Sequence, residues 1–258
     1  MNLLKYAGSE PKGFQIGCRI EHPQEMVDRK QYRCSPRPPT LGAAEYNLAM
    51  SPTPSKPGAS TFCMCPGGTV IPATAVSGEL SSNGMSNRAR DGEFANSTIV
   101  VTPDRTKFKT HAGAFGFLSA LGRKTFYAGG EDYGFPAQDA DAFLTGNVRL
   151  LHKKSSVQTQ LVPADISSLL PQEITATIRR ALREFDRRFP GFIKYGKLIG
   201  VESYVSSPVR FIRDINMMST VEQLYFAGEG AGMAGGILSA AVDGIKVAQA
   251  VIKKFNQI

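Results

Sequence analysis

Hydrophobic positions along the chain change period several times. In FQIGCRIEH (14–22), Phe14, Ile16, Cys18 and Ile20 alternate with other residues, the period of a strand with one buried face. From Arg33 to Gly58, RPPT and SPTPSKPG bracket LGAAEYNLAM, and that density of proline and small polar residues predicts irregular connection. Between Ser60 and Thr102, TFCMC, then TVIPATAV after the turn PGG, then STIVVT predict a small antiparallel sheet. The pattern shifts between His111 and Gly146, where AGAFGFLSALGRKTFYAGG and FPAQDADAFLTGN predict two helices around a glycine break.

The stretch Glu173 to Phe189 predicts a helix, because Ile174, Ile178, Leu182, Phe185 and Phe189 recur at spacings of three and four. Pro190 and Gly191 stop it. Its arginines, Arg179, Arg180, Arg183, Arg187 and Arg188, fall on the polar face toward the C-terminal end, where the helix dipole favours cations and Glu184 can pair with Arg188. They read as a solvated face. Farther on, VESYV and VRFIRDI look extended and VEQLYFAG looks like a strand. A helix begins beyond Gly232, with Leu238, Val242, Ile245, Ala248 and Ile252 as its buried stripe.

Composition narrows the class. In 258 residues, 42% are hydrophobic and 20% charged, the ordinary globular range, which argues against a disordered chain. No apolar run approaches the ~18 residues of a membrane span. The opening MNLLKYAGSEPKG is too short in apolar residues for a secretory core, and four irregularly spaced cysteines do not make a disulfide framework, so a cytoplasmic, reducing setting is expected. A net charge of +8 favours a polyanion or a phosphate-bearing cofactor without choosing between them.

One segment carries a chemical motif. Residues 224–236, LYFAGEGAGMAGG, run from a predicted strand through glycines into a helix, and Gly230, Gly232 and Gly235 match the dinucleotide spacing. Glycines there permit a tight turn and close approach to a pyrophosphate, while a helix N-terminus supplies N–H donors. They also serve where a helix packs tightly on a sheet. The acid-bearing second strand of a dinucleotide fold has no room before Ile258, so the turn is expected to play another part.

Taken with FQIGCRIEHPQE, TFCMCPGG, NGMSNRARDGEFANS, FPAQDADAFLTGN, SSPVRFIRD and GEGAGMAGGILSAAVDGIKVA, the chain resembles the FAD-dependent dehydrogenases of bacterial and plastid type, two-lobed flavoproteins. The resemblance implies FAD as cofactor. It implies that Gly228, Glu229, Gly230, Gly232, Gly235, Gly236 and Ile237 contribute the second half of its site. Glu229 would reach toward the ribityl or pyrophosphate region and the backbone of Gly235, Gly236 and Ile237 would donate. It also implies that MNLLKY is the tail of a preceding helix and that the N-terminal βαβ segment gripping adenosine is missing.

The remaining candidates come from local pattern. Cys63 and Cys65 read either as two small buried residues beside a turn or as thiols facing a flavin or substrate, and their one-residue spacing on a strand argues against a bridge. Asn83, Arg88, Arg90 and Asp91 lie in a polar stretch suited to substrate binding, although an Arg90 to Asp91 pairing within the loop explains two of them equally well. Arg210 reads as a cation for the flavin or an acidic substrate, or as a surface ion-pair partner. No metal ligand set is apparent.

The expectation is an α/β (or α+β) fragment. It comprises a remnant helix at 1–13, a β-rich substrate domain at 14–104, a helical insert at 105–195 and a C-terminal FAD-binding segment at 196–258. The expected function is FAD-dependent oxidoreduction of an unknown small molecule, with no nucleic acid or membrane partner, and with a missing N-terminal segment or a second copy completing it. A non-catalytic remnant of the same fold and a nucleic-acid binder using the basic helix are the alternatives.

Overall fold

The computed structural model describes residues 7–150 and 154–256, so MNLLKY lies outside the described residues. In chain order the strands are β1 (Ser9–Pro11), β2 (Ile16–Pro23), β3 (Ala49–Met50), β4 (Ala59–Cys65), β5 (Gly68–Ala73), β6 (Ser81–Ser86), β7 (Phe94–Val101), β8 (Phe135–Asp139), β9 (Leu161–Pro163), β10 (Lys197–Glu202) and β11 (Val209–Phe211). The helices are α1 (Gln24–Tyr32), α2 (His111–Ala128), α3 (Ala140–Thr145), α4 (Ile166–Leu169), α5 (Gln172–Arg188) and α6 (Ile237–Phe255). The fold is mixed α/β, and the chain forms two compact units.

The larger unit, Gln15–Thr102 with Leu118–Ser203, is built on a seven-stranded sheet in the order β3-β4-β7-β2-β10-β8-β9. Among the described residues, only β8 and β9 pair in parallel. β2 and β7 match residue for residue from Ile16↔Val101 to Pro23↔Phe94, which keeps the alternation of β2 intact. Ile16, Cys18 and Ile20 have no exposed surface, as the period predicts. α5 covers β3, β4 and β7. Its stripe of Ile174, Ile178, Leu182 and Phe185 is completely buried.

Several expectations change here. β2 is buried on both faces, because the β5–β6 hairpin lies over the side that carries Arg19 and Glu21. Val70 and Leu80 of that cover pack with Phe135, Ala137 and Ile199 of the sheet. FPAQD is a strand, not a helix, and β8 sits fully buried between β10 and β9. A five-residue segment is too short for its period to decide between the two. The sheet therefore draws strands from both sides of the boundary expected at residue 104. Nor are the arginines of α5 simply solvated. Arg179 donates to the Phe143 carbonyl, Arg180 to that of Pro57 and Arg188 to that of Ala49, clamping α5 onto neighbouring segments.

The smaller unit takes the described residues of 1–14, 103–117 and 204–258. β1 pairs antiparallel with β11, and Ala7, Val209, Phe211 and Ala231 form its core. Phe226 stacks on Phe211 with ring centroids 3.9 Å apart. Residues 224–227 do not form the expected strand. Among the described residues they join no β-ladder, and the segment instead inserts Phe226 into the core and offers its carbonyl to Arg213. The expected stripe of α6 is not buried either. Leu238 is 83% exposed and Ile245 58%, while Val247 is buried. Among the described residues, no helix is long and apolar enough to cross a membrane.

Candidate functional site

In the smaller unit the glycine turn is held from below by α6. Gly228 donates its N–H to Asp243 at 2.8 Å, and Asp243 is gripped by Arg213. The Arg213 guanidinium, followed by the Gly228 N–H, holds the Asp243 carboxyl below its ordinary range against the opposing effect of burial. Gly228 and Gly232 both adopt left-handed φ, +78° and +77°. Gly232 has a second constraint, since a Cβ there would stand 2.2 Å from the Val209 carbonyl oxygen. That close approach is to strand β11, so this glycine serves packing.

Gly230 and Gly235 differ, because a Cβ at either would meet open space. Gly236 caps α6, and the N–H groups of Ile237, Leu238 and Ser239 have no acceptor within the helix by its geometry. Open space over glycines in front of such a first turn fits the phosphates of a dinucleotide. Glu229 is partly committed: its Oε1 accepts the Ser207 N–H at 2.5 Å, leaving Oε2 for a ligand hydroxyl. Glu229 also raises the pKa of nearby Lys12, which burial lowers more strongly. Arg210, on β11, is half-exposed and 3.7 Å from Glu10, the surface pairing foreseen as one of its readings.

In the larger unit the covered face of the sheet is polar. Arg19, with no exposed surface, makes a two-pronged ion pair with Glu202 at 2.8 and 2.9 Å. Its other arm donates to Asn96 at 2.7 Å and to the Cys63 carbonyl at 3.4 Å. Asn83 accepts from the same guanidinium at 3.4 Å. β6 comes so close that a Cβ on Gly84 would lie 2.4 Å from Arg19 Nη1, so any larger residue there would push the guanidinium and Asn96 out of place. The hydroxyls of Ser82, Thr98 and Ser203 and the Asn96 amide nitrogen are buried there without a partner.

Arg19 thus gathers Cys63, Cys65 and Asn83. The cysteines are not the buried pair that one reading expected. A register shift after Phe62 and a left-handed φ of +45° at Cys63 leave that residue exposed. The Cys65 thiol donates to the Cys63 carbonyl. Partial desolvation by the surrounding chain pushes both thiols up in pKa even though Cys63 keeps exposed surface, Glu202 adding to it and Arg19 opposing it, so neither is a thiolate at neutral pH. Asn83 lies on β6, not in a loop.

Arg90 and Asp91 stand apart from the guanidinium. Arg90 pairs with Glu45 at 2.5 Å, and Asp91 accepts from Asn87 at 2.7 Å, so the loop does not close on an Arg90 to Asp91 pair. The loop abuts the turn after Cys65, since a Cβ on Gly67 would be 2.2 Å from the Arg90 carbonyl oxygen. Arg19, Asn96 and Glu202, and Arg213 with Asp243, are site residues that sequence reasoning missed. Arg19 and Glu202 are 183 positions apart, and a charged residue in an alternating strand looks the same whether its face meets water or a second layer. Among the described residues no group of three or more His, Cys, Asp or Glu is placed to hold a metal ion.

These features define a mixed α/β protein with a buried polar sheet face in one unit and an open glycine turn before α6 in the other. Residues 13–205 match the family described as FAD-dependent protein, C-terminal domain-like, and the chain belongs to that family. The match spans the whole larger unit together with residues 103–117 of the smaller one, and stops before the glycine turn. The chain is also similar to an uncharacterised protein of Clostridium beijerinckii, 38% identical over 259 residues that cover 96% of this chain and 48% of the relative. The chain therefore spans about half the length of that relative.

Proposed function

We propose that the chain is the C-terminal part of an FAD-dependent oxidoreductase, in which the turn Gly228–Gly236 and the first turn of α6 hold part of the cofactor. The carrying observation is the open space over Gly230 and Gly235 in front of α6, in a chain of an FAD-dependent family. When bound, FAD supplies hydride or electron transfer. The backbone donors of Gly235, Gly236 and Ile237 would receive a phosphate, and Glu229 Oε2 would accept from a ribityl hydroxyl. Gly232 would keep the turn seated on β11, and Arg210 stays a candidate cation for the electron-rich end.

On the substrate side, Cys63, Cys65 and Asn83 would act as neutral polar groups set by Arg19, with Arg90 and Asp91 in the neighbouring loop. The adenosine end is assigned to polypeptide outside these residues, in keeping with the half-length match. The exposed stripe of α6 at Leu238, Val242, Ile245 and Ile252 is the surface on which such a segment would pack. Gel filtration of the chain after incubation with FAD tests this part. Flavin absorbance is expected to leave the protein peak. Stoichiometric flavin on a monomer would show that the half-site reading is wrong.

A further inference from the structure

A cavity of about 530 Å³ opens in the larger unit beside β2, between α1 and the segment Gly92–Phe94, and none of the candidate residues named so far lines it. Its size is that of a small-molecule site. The floor is Glu21 and Lys197, cross-strand neighbours on β2 and β10 with side chains 1% and 5% exposed. Glu21 is fully engaged: it accepts from the Ser155 hydroxyl at 2.7 Å, the Ser156 N–H at 3.0 Å and the Ser156 hydroxyl at 2.5 Å. The Lys197 ammonium donates to the Lys154 carbonyl and stands 3.8 Å from Glu21, too far for a good hydrogen bond. It has three donors and is desolvated. Burial lowers its pKa against the pull of Glu21 and Asp139.

Toward the mouth the charges alternate. Lys154 pairs with Glu93 at 2.6 Å and Arg37 with Asp28 at 2.6 Å. Tyr195, 42% exposed, and Phe94 supply an apolar wall. A ligand with a single negative charge would meet Asp28 and Glu93 as well as the lysines, and one with a single positive charge would meet Lys197. A ligand bearing both signs a few ångströms apart meets each with its opposite.

We propose that this cavity binds a zwitterionic small molecule of the α-amino-acid type, its carboxylate on Lys197 Nζ, its ammonium toward Glu93 and its apolar side chain against Tyr195 and Phe94. The site lies wholly within the larger unit and is independent of the flavin reading. The test is calorimetry and saturation-transfer NMR on the 258-residue chain with L-phenylalanine, L-leucine and L-methionine. Phenethylamine and 3-phenylpropanoate serve as single-charge controls. Expected are saturable binding of at least one amino acid and at least about tenfold weaker binding of both controls. Lys197→Gln should abolish the signal. Because Lys197 is buried, the rim variant Glu93→Gln, which leaves the core intact, is expected to weaken binding about fivefold or more. No saturable binding by any of the three amino acids, or a single-charge control binding as tightly, would overturn the proposal, as would wild-type affinity in Glu93→Gln.

Discussion

Arg213 and Asp243 meet through two parallel hydrogen bonds, 3.0 and 2.9 Å, and the same carboxylate accepts the Gly228 N–H at 2.8 Å. A single acid on α6 thereby fixes the start of the glycine turn. Its depressed pKa gives the linkage a definite sign. The stabilisation is complete above the ordinary carboxylate value of 3.8 and is lost as pH falls through the lower, folded value. The Gly228 amide resonance should therefore titrate with a midpoint below 3.8, and in Asp243→Asn that titration should vanish. A midpoint at or above the ordinary value would contradict the pairing.

Removing one member of the Arg19 and Glu202 pair strands the other in the covered face of the sheet. Arg19→Met and Glu202→Gln are each expected to lower unfolding free energy by roughly 3 to 5 kcal/mol. Urea denaturation checks this. The double variant Arg19→Met with Glu202→Gln should cost clearly less than the sum of the two, because no unpaired charge remains.

Two glycines of the motif separate packing from ligand contact. Gly232→Ala places a methyl against the Val209 carbonyl in a left-handed residue and should destabilise the smaller unit by several kcal/mol, about the cost of overpacking plus backbone strain. Gly235→Val meets open space and should leave thermal stability nearly unchanged. Comparable losses of stability in both variants would show that Gly235 is also a packing residue.

His22 is a buried titrating group. Its Nε2–H donates to the Phe192 carbonyl at 2.8 Å, and desolvation lowers its pKa from 6.5 to about 4 despite that bond. The unfolded chain takes up the proton first, so stability is full above pH 6.5 and declines as pH falls toward 4. The decline is on the order of 3 kcal/mol. Comparing the pH dependence of unfolding with that of His22→Gln isolates it, and parallel curves between the two values would contradict the neutral, buried histidine.

Legibility in the sequence followed the number of layers involved. α5 and the apolar side of β2 were readable because each presents one periodic face to one core. The opposite side of β2 was not, since Arg19 and Glu21 in an alternating strand look solvent-facing until the hairpin at 68–86 is known to cover Arg19, and Ser155 and Ser156 to engage Glu21. The FPAQD strand was hidden by its brevity, and the LYFAG segment shows that strand-forming residues need a partner chain to make a ladder. Of the candidate site, the glycine turn was legible from spacing. Its anchors Arg213 and Asp243 were not, because their pairing crosses 30 positions and carries no local signal.

The flavin reading is tested most directly at the backbone amides of Gly228–Ile237, followed by heteronuclear NMR while FAD is added to the chain. A glycine turn that holds the cofactor's phosphates should show saturable shifts concentrated at Gly235, Gly236 and Ile237, weak in affinity and absent in Gly235→Val. Unchanged amides at these positions up to millimolar FAD, or equal shifts in the folded Gly235→Val variant, would contradict it.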